Sequence, residues 1–423
     1  MAKPTFVVLP VMFAYMAQLA TTLNLPGQSV QSTVLINSAI YVFGGDVHLN
    51  TVANLYVLDV SQPWNCTTPA WSNSTNDTPD MLSAMDNAIW PSPDNNSFYI
   101  WGGDNYDRKP LIQSGFAQYN VVNRTWSRPI TNPNTPKQRA GIVAAWTQGI
   151  AYIWGGKSNE YTGDNSTQEF DDIISFDMIK LLWNSLNVTG SIPLYRSWYT
   201  ATILSDGQIV IIGGYIRRQL NATSDLALMS DIPVFKILNI CVSAIHQHYD
   251  MDIPKRHGQY TSPTSRAHCC TDYISIIICC GSDGLRYYND VVVLNTRTWS
   301  WTQPDIVGTA PTSRSGHSSV MVNGQMIMFF GYKRPLVYLN DVNVLDTRST
   351  PFQWTGGFTP GPTTTMTSSG TEQSDVGVSG LGIGSVIGIS VAGVFVVVVA
   401  AIVIRKPWRS HKKQSVHTYH QYQ

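Results

Sequence analysis

Charge is what this sequence has least of. Asp, Glu, Lys and Arg make up 13% of its 423 residues, and 27 basic side chains balance 27 acidic ones. That is about half the usual share of charge. A neutral chain offers no basic face for nucleic acid, so that class of partner is excluded. Low charge beside 11% aromatics and 32 glycines also excludes disorder, which needs the opposite composition, and suits an all-β protein. Metal-ligand spacing is missing too. The six cysteines, Cys66, Cys241, Cys269, Cys270, Cys279 and Cys280, include no Cys-x2-Cys pair. His246 and His248 would share one strand face, with His257 and His268 nearby, but no carboxylate cluster accompanies them. No catalytic, cofactor-binding or metal-ligating constellation emerges, which points away from an enzyme.

Two apolar runs stand at the ends. Lys3, a short run from Phe6 to Met16 and Ala17-Gln18-Leu19-Ala20 read as a signal peptide over residues 1–20. Residues 381–404 carry no charge over 24 positions, enough to span a bilayer, and Arg405, Lys406, Arg409, Lys412 and Lys413 follow. The positive-inside rule puts the tail, 405–423, in the cytoplasm and everything from 21 to 380 outside. The expectation is a single-pass type I protein of the plasma membrane or an endomembrane. Residues 358–380 hold ten Ser/Thr among 23 positions and read as an extended spacer. Gly380, Gly384, Gly388 and Ala392 form a small-xxx-small stripe that would let two spans approach closely as a homodimer. Eight Asn-x-Ser/Thr sequons, at Asn65, Asn73, Asn76, Asn95, Asn123, Asn165, Asn187 and Asn221, fall in the outer segment and are expected to carry glycans.

Between the ends one phrase recurs: an apolar β-run closed by a glycine pair, then a second β-run, then a Trp. The pairs are Gly44-Gly45, Gly102-Gly103, Gly155-Gly156 and Gly213-Gly214, with remnants at Cys280-Gly281 and Phe330-Gly331. The Trp residues are Trp71, Trp126, Trp183, Trp301 and Trp354. A period of 53 to 58 residues signals propellers, solenoids or arrays. Each unit reads as four short strands, the pattern of a propeller blade. Glycines at a strand end allow close backbone approach, and a Trp seals blade to blade, so these residues are architecture. Six motif sets give six blades, with seven as the alternative.

These units resemble kelch repeats, the motif of kelch and galactose-oxidase-like β-propellers. The match is clearest in Arg314-Ser315-Gly316-His317, in Tyr288-Asn289-Asp290 with Trp299 and Trp301, and in Leu339-Asn340-Asp341 with Trp354. Arg139-Ala140-Gly141, Arg196 and Arg266-Ala267-His268 echo the first phrase. The resemblance covers roughly 29–357 and implies a propeller over 21–357. The layout is also similar to kelch-type membrane proteins common in fungi. Copper-radical oxidases of this kind use two Tyr, two His and a Tyr–Cys cross-link. No such pattern can be matched here, so that activity is not carried over.

Unit four departs from the pattern. No fourth-strand Trp follows Ile232-Pro233-Val234-Phe235, and the stretch 236–273 reads as degenerate or mistranslated. Antiparallel pairing in unit five would bring Cys269-Cys270 near Cys279-Cys280, close enough for one cross-strand disulfide. Loops after the glycine pair are long in units three and four, 16 and 17 residues against 9 or 10 in units one, five and six. Units five and six carry no sequon, so that side of the ring is expected to dock a partner or the membrane; occupied glycans there would count against it. The expected work is binding of a protein or glycan ligand. A galactose-oxidase-like enzyme and a structural cell-wall linker are the competing classes.

Overall fold

The computed structural model describes residues 23–78, 83–105, 115–190, 194–217, 224–237, 241–245, 268–270, 274–334 and 336–361, with 241–245 and 268–270 as backbone only. The chain divides into two compact units, 1–363 and 364–423, and the second lies wholly outside the described residues. The signal peptide, the membrane span, the glycine stripe, the tail and all but the start of the spacer also lie outside them. No described helix is long and apolar enough to cross a membrane.

The first unit is all-β, without an α-helix among the described residues. Among the described residues six sheets follow one another, each with four antiparallel strands in chain order, and the fourth and sixth carry a short fifth strand in parallel on the outer edge. The first shows the pattern: β1 (Ser32–Ile36), β2 (Ala39–Phe43), β3 (Leu55–Asp59) and β4 (Trp71–Asn73) lie side by side in that order. Each sheet starts at an axis, with β1, Ala88–Pro91, Ala144–Thr147, Thr200–Ile203, His268–Cys270 and Ser318–Val322 innermost. Each innermost strand touches the next around the ring, and the last touches β1. The ring is a closed β-propeller. Turns between first and second, and third and fourth, strands share one face, the turn face. Second-to-third loops and inter-sheet linkers share the other, the loop face.

Aromatic side chains seal the ring. Trp183 of the third sheet packs on Trp101 and Phe116 of the second, at 5.0 and 5.6 Å between ring centroids. Trp126 packs on Phe43 of the first sheet, and Trp301 and Trp354 join the cores shared with the fourth and fifth sheets. Trp71 reaches Phe329 and Phe330 of the sixth sheet, so the same contact that joins neighbours also closes the circle. In every case the Trp packs on the preceding sheet. Closure is reinforced where Gly357–Phe358 pairs with Trp64–Asn65. Phe358, expected at the head of the spacer, is instead 1% exposed against Trp64 and belongs to the propeller.

The glycine pairs have a backbone reason. The second residue is glycine in all six sheets, with φ between 85° and 108°, where an L side chain is strained. Its N–H donates to a carbonyl at the start of the next sheet. The pairs are Gly45 to Ala84, Gly103 to Arg139, Gly156 to Arg196, Gly281 to Arg314 and, across the closure, Gly331 to Gln28. The first residue lies at φ 57–76°, a left-handed region that other residues enter at a cost of about 1–2 kcal/mol. Cys280 and Phe330 accept it, and the Phe330 ring stacks on Trp71 at 5.8 Å.

Buried arginines brace the same corner. The Arg314 guanidinium donates to both carboxylate oxygens of Asp341 and to the Phe330 carbonyl. Arg139 repeats this with Asp172 and the Gly155 carbonyl, while Arg196 donates to Oδ2 of Asp231 and to the Asp231 and Gly213 carbonyls. Burial would raise the Asp341 carboxyl, but the Arg314 hydrogen bonds and charge hold it below the usual carboxylate range. His317 nearby is 1% exposed, and burial, with the Arg314 charge, pushes its imidazole down to about 3. Above pH 6.5 the ring is neutral in both folded and unfolded chain. Below it only the unfolded chain takes the proton, so stability is lost as pH falls from 6.5 towards 3, by at most about 1.4 kcal/mol per pH unit from this group. His317→Gln, compared with wild type by urea unfolding at pH 7 and pH 5, should show a smaller fall between the two; an equal fall would remove His317 as the cause.

One expectation is refined and one corrected. The fourth-strand Trp is absent, as the sequence reads, yet Cys241–Ile245 still forms a fourth strand on Ile232–Lys236, because main-chain pairing needs no particular side chain. The short segment Thr189–Gly190 then adds in parallel on its outer edge. Second, antiparallel pairing in the fifth sheet places Cys269 opposite Ile277 and Cys270 opposite Ile276. Cys279 is thus at best diagonal to Cys269, at about 7–8 Å, beyond the reach of a disulfide. Cys279 is joined to Cys280 instead.

Candidate functional site

The sequence column just after each glycine pair holds Asp46, Asp104, Lys157, Tyr215, Ser282 and Tyr332. In five sheets the residue just ahead of the first strand pairs back onto this column: Ser29 on Asp46, Met85 on Asp104, Ala140 on Lys157, Ser197 on Tyr215 and Ser315 on Tyr332. The next residue of each phrase, Val30, Asp86, Gly141, Trp198 or Gly316, takes positive φ. Their main chains link sheet to sheet about the axis, Val30 N–H to Gly316 O, Asp86 to Val30, Gly141 to Asp86 and Trp198 to Gly141. Nine loop-face side chains, those of the column with Val30, Asp86 and Trp198, are thereby gathered around one mouth.

Their contacts, with those of nearby loop residues, fall into three clusters around the mouth. Trp198 Nε1–H donates to Asp86 Oδ2 at 2.9 Å, and Lys157 Nζ lies 4.1 Å from the Trp198 ring centroid. Tyr338 O–H donates to Asp46 Oδ2 at 2.6 Å, and Tyr338, Tyr332 and Tyr287 stand ring to ring. Glu169 and Arg217 form an ion pair at 2.8 Å. Burial, and then the neighbouring Asp86, push the Asp104 carboxyl up to about 7, with Lys157 opposing. Burial likewise raises Asp46, Glu169 and Tyr332, the last to about 12. Aromatic faces, hydroxyls, carboxylates and a cation in one half-buried mouth can bind a polar ligand by stacking and hydrogen bonds. Among the described residues, no three His, Cys, Asp or Glu side chains lie together in a metal-binding group.

A family model, the KLHDC2/KLHL20/DRC7 Kelch-repeats domain, matches residues 29–250 and 237–371. The chain belongs to the kelch-repeat family. Among curated relatives, acyl-CoA-binding domain-containing protein 4 of Arabidopsis thaliana is 24% identical over 319 residues, covering 74% of this chain and 44% of the relative. Acyl-CoA-binding domain-containing protein 5 of the same plant is 27% identical over 228 residues, 53% of this chain and 33% of that one. Human Kelch domain-containing protein 3 is 24% identical over 252 residues, 56% and 62% of the two chains. The chain thus spans less than two thirds of each of these relatives. The solved structure of YjhT superposes with a TM-score of 0.56 at 12% identity, over 78% of this chain and 97% of that one, which shows a shared fold.

Within the kelch frame, every described sequon asparagine is exposed: Asn65, Asn73, Asn76, Asn95, Asn123, Asn165 and Asn187. Asn221 lies outside the described residues, as do His246, His248 and His257. The long third-sheet loop folds on itself, Lys157–Ser158 pairing with Gln168–Glu169 around a short 3-10 turn capped by Asn159. Kelch architecture claims all the glycine pairs and Trp residues singled out from the sequence. None of them forms the mouth. The mouth residues were legible only as a column, one place after each glycine pair.

Proposed function

We propose that this kelch propeller is a six-bladed recognition module that takes a protein or glycan ligand at the loop-face mouth, carried by a type I membrane glycoprotein. The observation that supports the reading is the set of aromatic and charged side chains around the axis. The described chain reaches Gly361 beside Asn323, on the face opposite the mouth. Family membership favours binding, because kelch loops vary freely over a shared scaffold. The sequons and terminal apolar runs support the membrane and glycan part.

The test uses the full-length protein expressed on cells. Trp198→Ala and Tyr332→Ala should each weaken binding to a positive hit from a glycan array or surface-protein library at least tenfold, whereas Ile179→Ser on the turn face should not. Deglycosylation should lower the apparent mass on a gel. Hits indifferent to both mouth changes, or peroxide release from sugars on adding copper, would defeat the reading.

A further inference from the structure

One corner of the mouth holds a cation of the chain's own. The Lys157 ammonium lies 4.1 Å from the Trp198 ring centroid, inside the cation–π range of about 6 Å. The same indole donates its Nε1–H to Asp86 Oδ2, and the Asp86 charge also reaches Tyr332. Asp104 completes the corner. It holds the place after its glycine pair, from which Lys157 reaches Trp198, Asp46 reaches Tyr338 and Tyr332 reaches Tyr287. Its carboxyl feels the Asp86 charge and, in opposition, the Lys157 charge. Asp104 is 3% exposed, and its Oδ1 is buried with no hydrogen-bond partner. Glu169, opposite Lys157 on its hairpin, is already paired with Arg217. Two carboxyls therefore share the corner with one ammonium. Lys157 and Trp198 are both half-buried, so the place where that ammonium sits is open to solvent. A buried carboxyl short of partners beside an aromatic face marks a place for a ligand's cation.

We propose that this corner is the cation subsite of the mouth and takes the ammonium of a lysine side chain presented by a protein partner. The proposal rests on the loop-face reading above and names the partner's chemistry. Lys157 is the resident stand-in, a charge on a flexible four-carbon stem that gives way when the partner's ammonium enters over Trp198. Asp104 acts on the newcomer through space, as it already acts on Lys157. The stand-in is itself a lysine, so the corner is shaped for an alkylammonium.

Fluorescence anisotropy of labelled hexalysine with the full-length protein in a neutral detergent tests it. Physiological ionic strength screens exposed charges beyond about 8 Å, which suppresses unspecific attraction. Saturable binding is expected, with Nε-acetylated hexalysine, the same chain without side-chain charge, at least tenfold weaker. Lys157→Met removes the stand-in's charge, keeps a stem of similar length, and should tighten hexalysine binding at least threefold. Asp86→Asn and Asp104→Asn should each weaken it at least threefold. Asp206→Asn, in the turn between Thr200–Ile203 and Gln208–Ile212 on the turn face, should leave it unchanged. No saturable binding, equal affinity for the acetylated chain, binding that survives both Asp changes, or a Lys157→Met variant that binds no tighter would overturn the proposal. Should neither Asp variant fold, the direction of the Lys157→Met effect still decides. If Trp198→Ala abolishes binding of the array or library hits while hexalysine ignores Lys157 and both Asp changes, the loop-face reading stands and only the lysine subsite falls.

Discussion

Replacing Trp183 by alanine is expected to lower stability by about 3–5 kcal/mol, among the largest effects of a single change in this chain. The indole is 1% exposed and touches Trp90, Trp101, Phe116 and Phe176, with centroids 4.8 to 6.3 Å away. Its strand is held from outside as well, since Asn132 of the inter-sheet linker accepts from the Trp183 N–H and donates to its carbonyl. Alanine keeps those two hydrogen bonds and loses the seal between the second and third sheets. The cavity left there cannot collapse, because rings on both sides are anchored in separate sheets. Spread over a propeller of this size, the loss corresponds to a fall in Tm of about 5 °C. Trp146→Ala, at a 40%-exposed position, should cost less than about 1 kcal/mol. Scanning calorimetry of the two variants beside wild type checks the contrast; equal losses would mean that ring-to-ring packing is not what joins the sheets.

The second large effect separates backbone angle from crowding. Gly214 and Gly163 have nearly the same φ, 89° and 90°, but a Cβ on Gly214 would sit 2.4 Å from the Ser197 carbonyl oxygen, while one on Gly163 would meet nothing within 4 Å. Gly163→Ala should therefore cost only the left-handed penalty, about 1–2 kcal/mol. Gly214→Ala adds a clash with main chain that only a shift of sheet against strand can relieve, and should cost about 3 kcal/mol or more. Denaturant titration of both gives the difference directly. If both lose the same amount, the second glycine is needed for its φ and not for close approach.

The repeat was legible because its constraints are periodic. Glycine stands wherever φ reaches 85° or more, so the pairs recur, and the Trp recurs in five of the six sheets because a large ring on the outer strand seals each of these to the preceding sheet. Legibility fails where a constraint admits several residues. Cys280 and Phe330 take the left-handed first position, so these two units show in the sequence only as remnants of the pair. Cys241–Ile245 completes its sheet through main-chain pairing and carries no Trp to announce it. The mouth was hidden for another reason. Asp86, Lys157, Trp198, Tyr332 and Tyr338 come from loops unlike one another in sequence, and only closure of the ring makes them neighbours. Reading the column after the glycine pairs would have found Asp46, Asp104, Lys157 and Tyr332, but not Trp198 or Tyr338.

The most direct test of recognition at the loop face places a photo-cross-linking phenylalanine analogue at Tyr332, and in a second protein at Ile179, each expressed full length in its native cells. Irradiation is expected to give a defined adduct from position 332 and none from 179. Adducts from 179 alone, or from neither position, would contradict a ligand at the mouth.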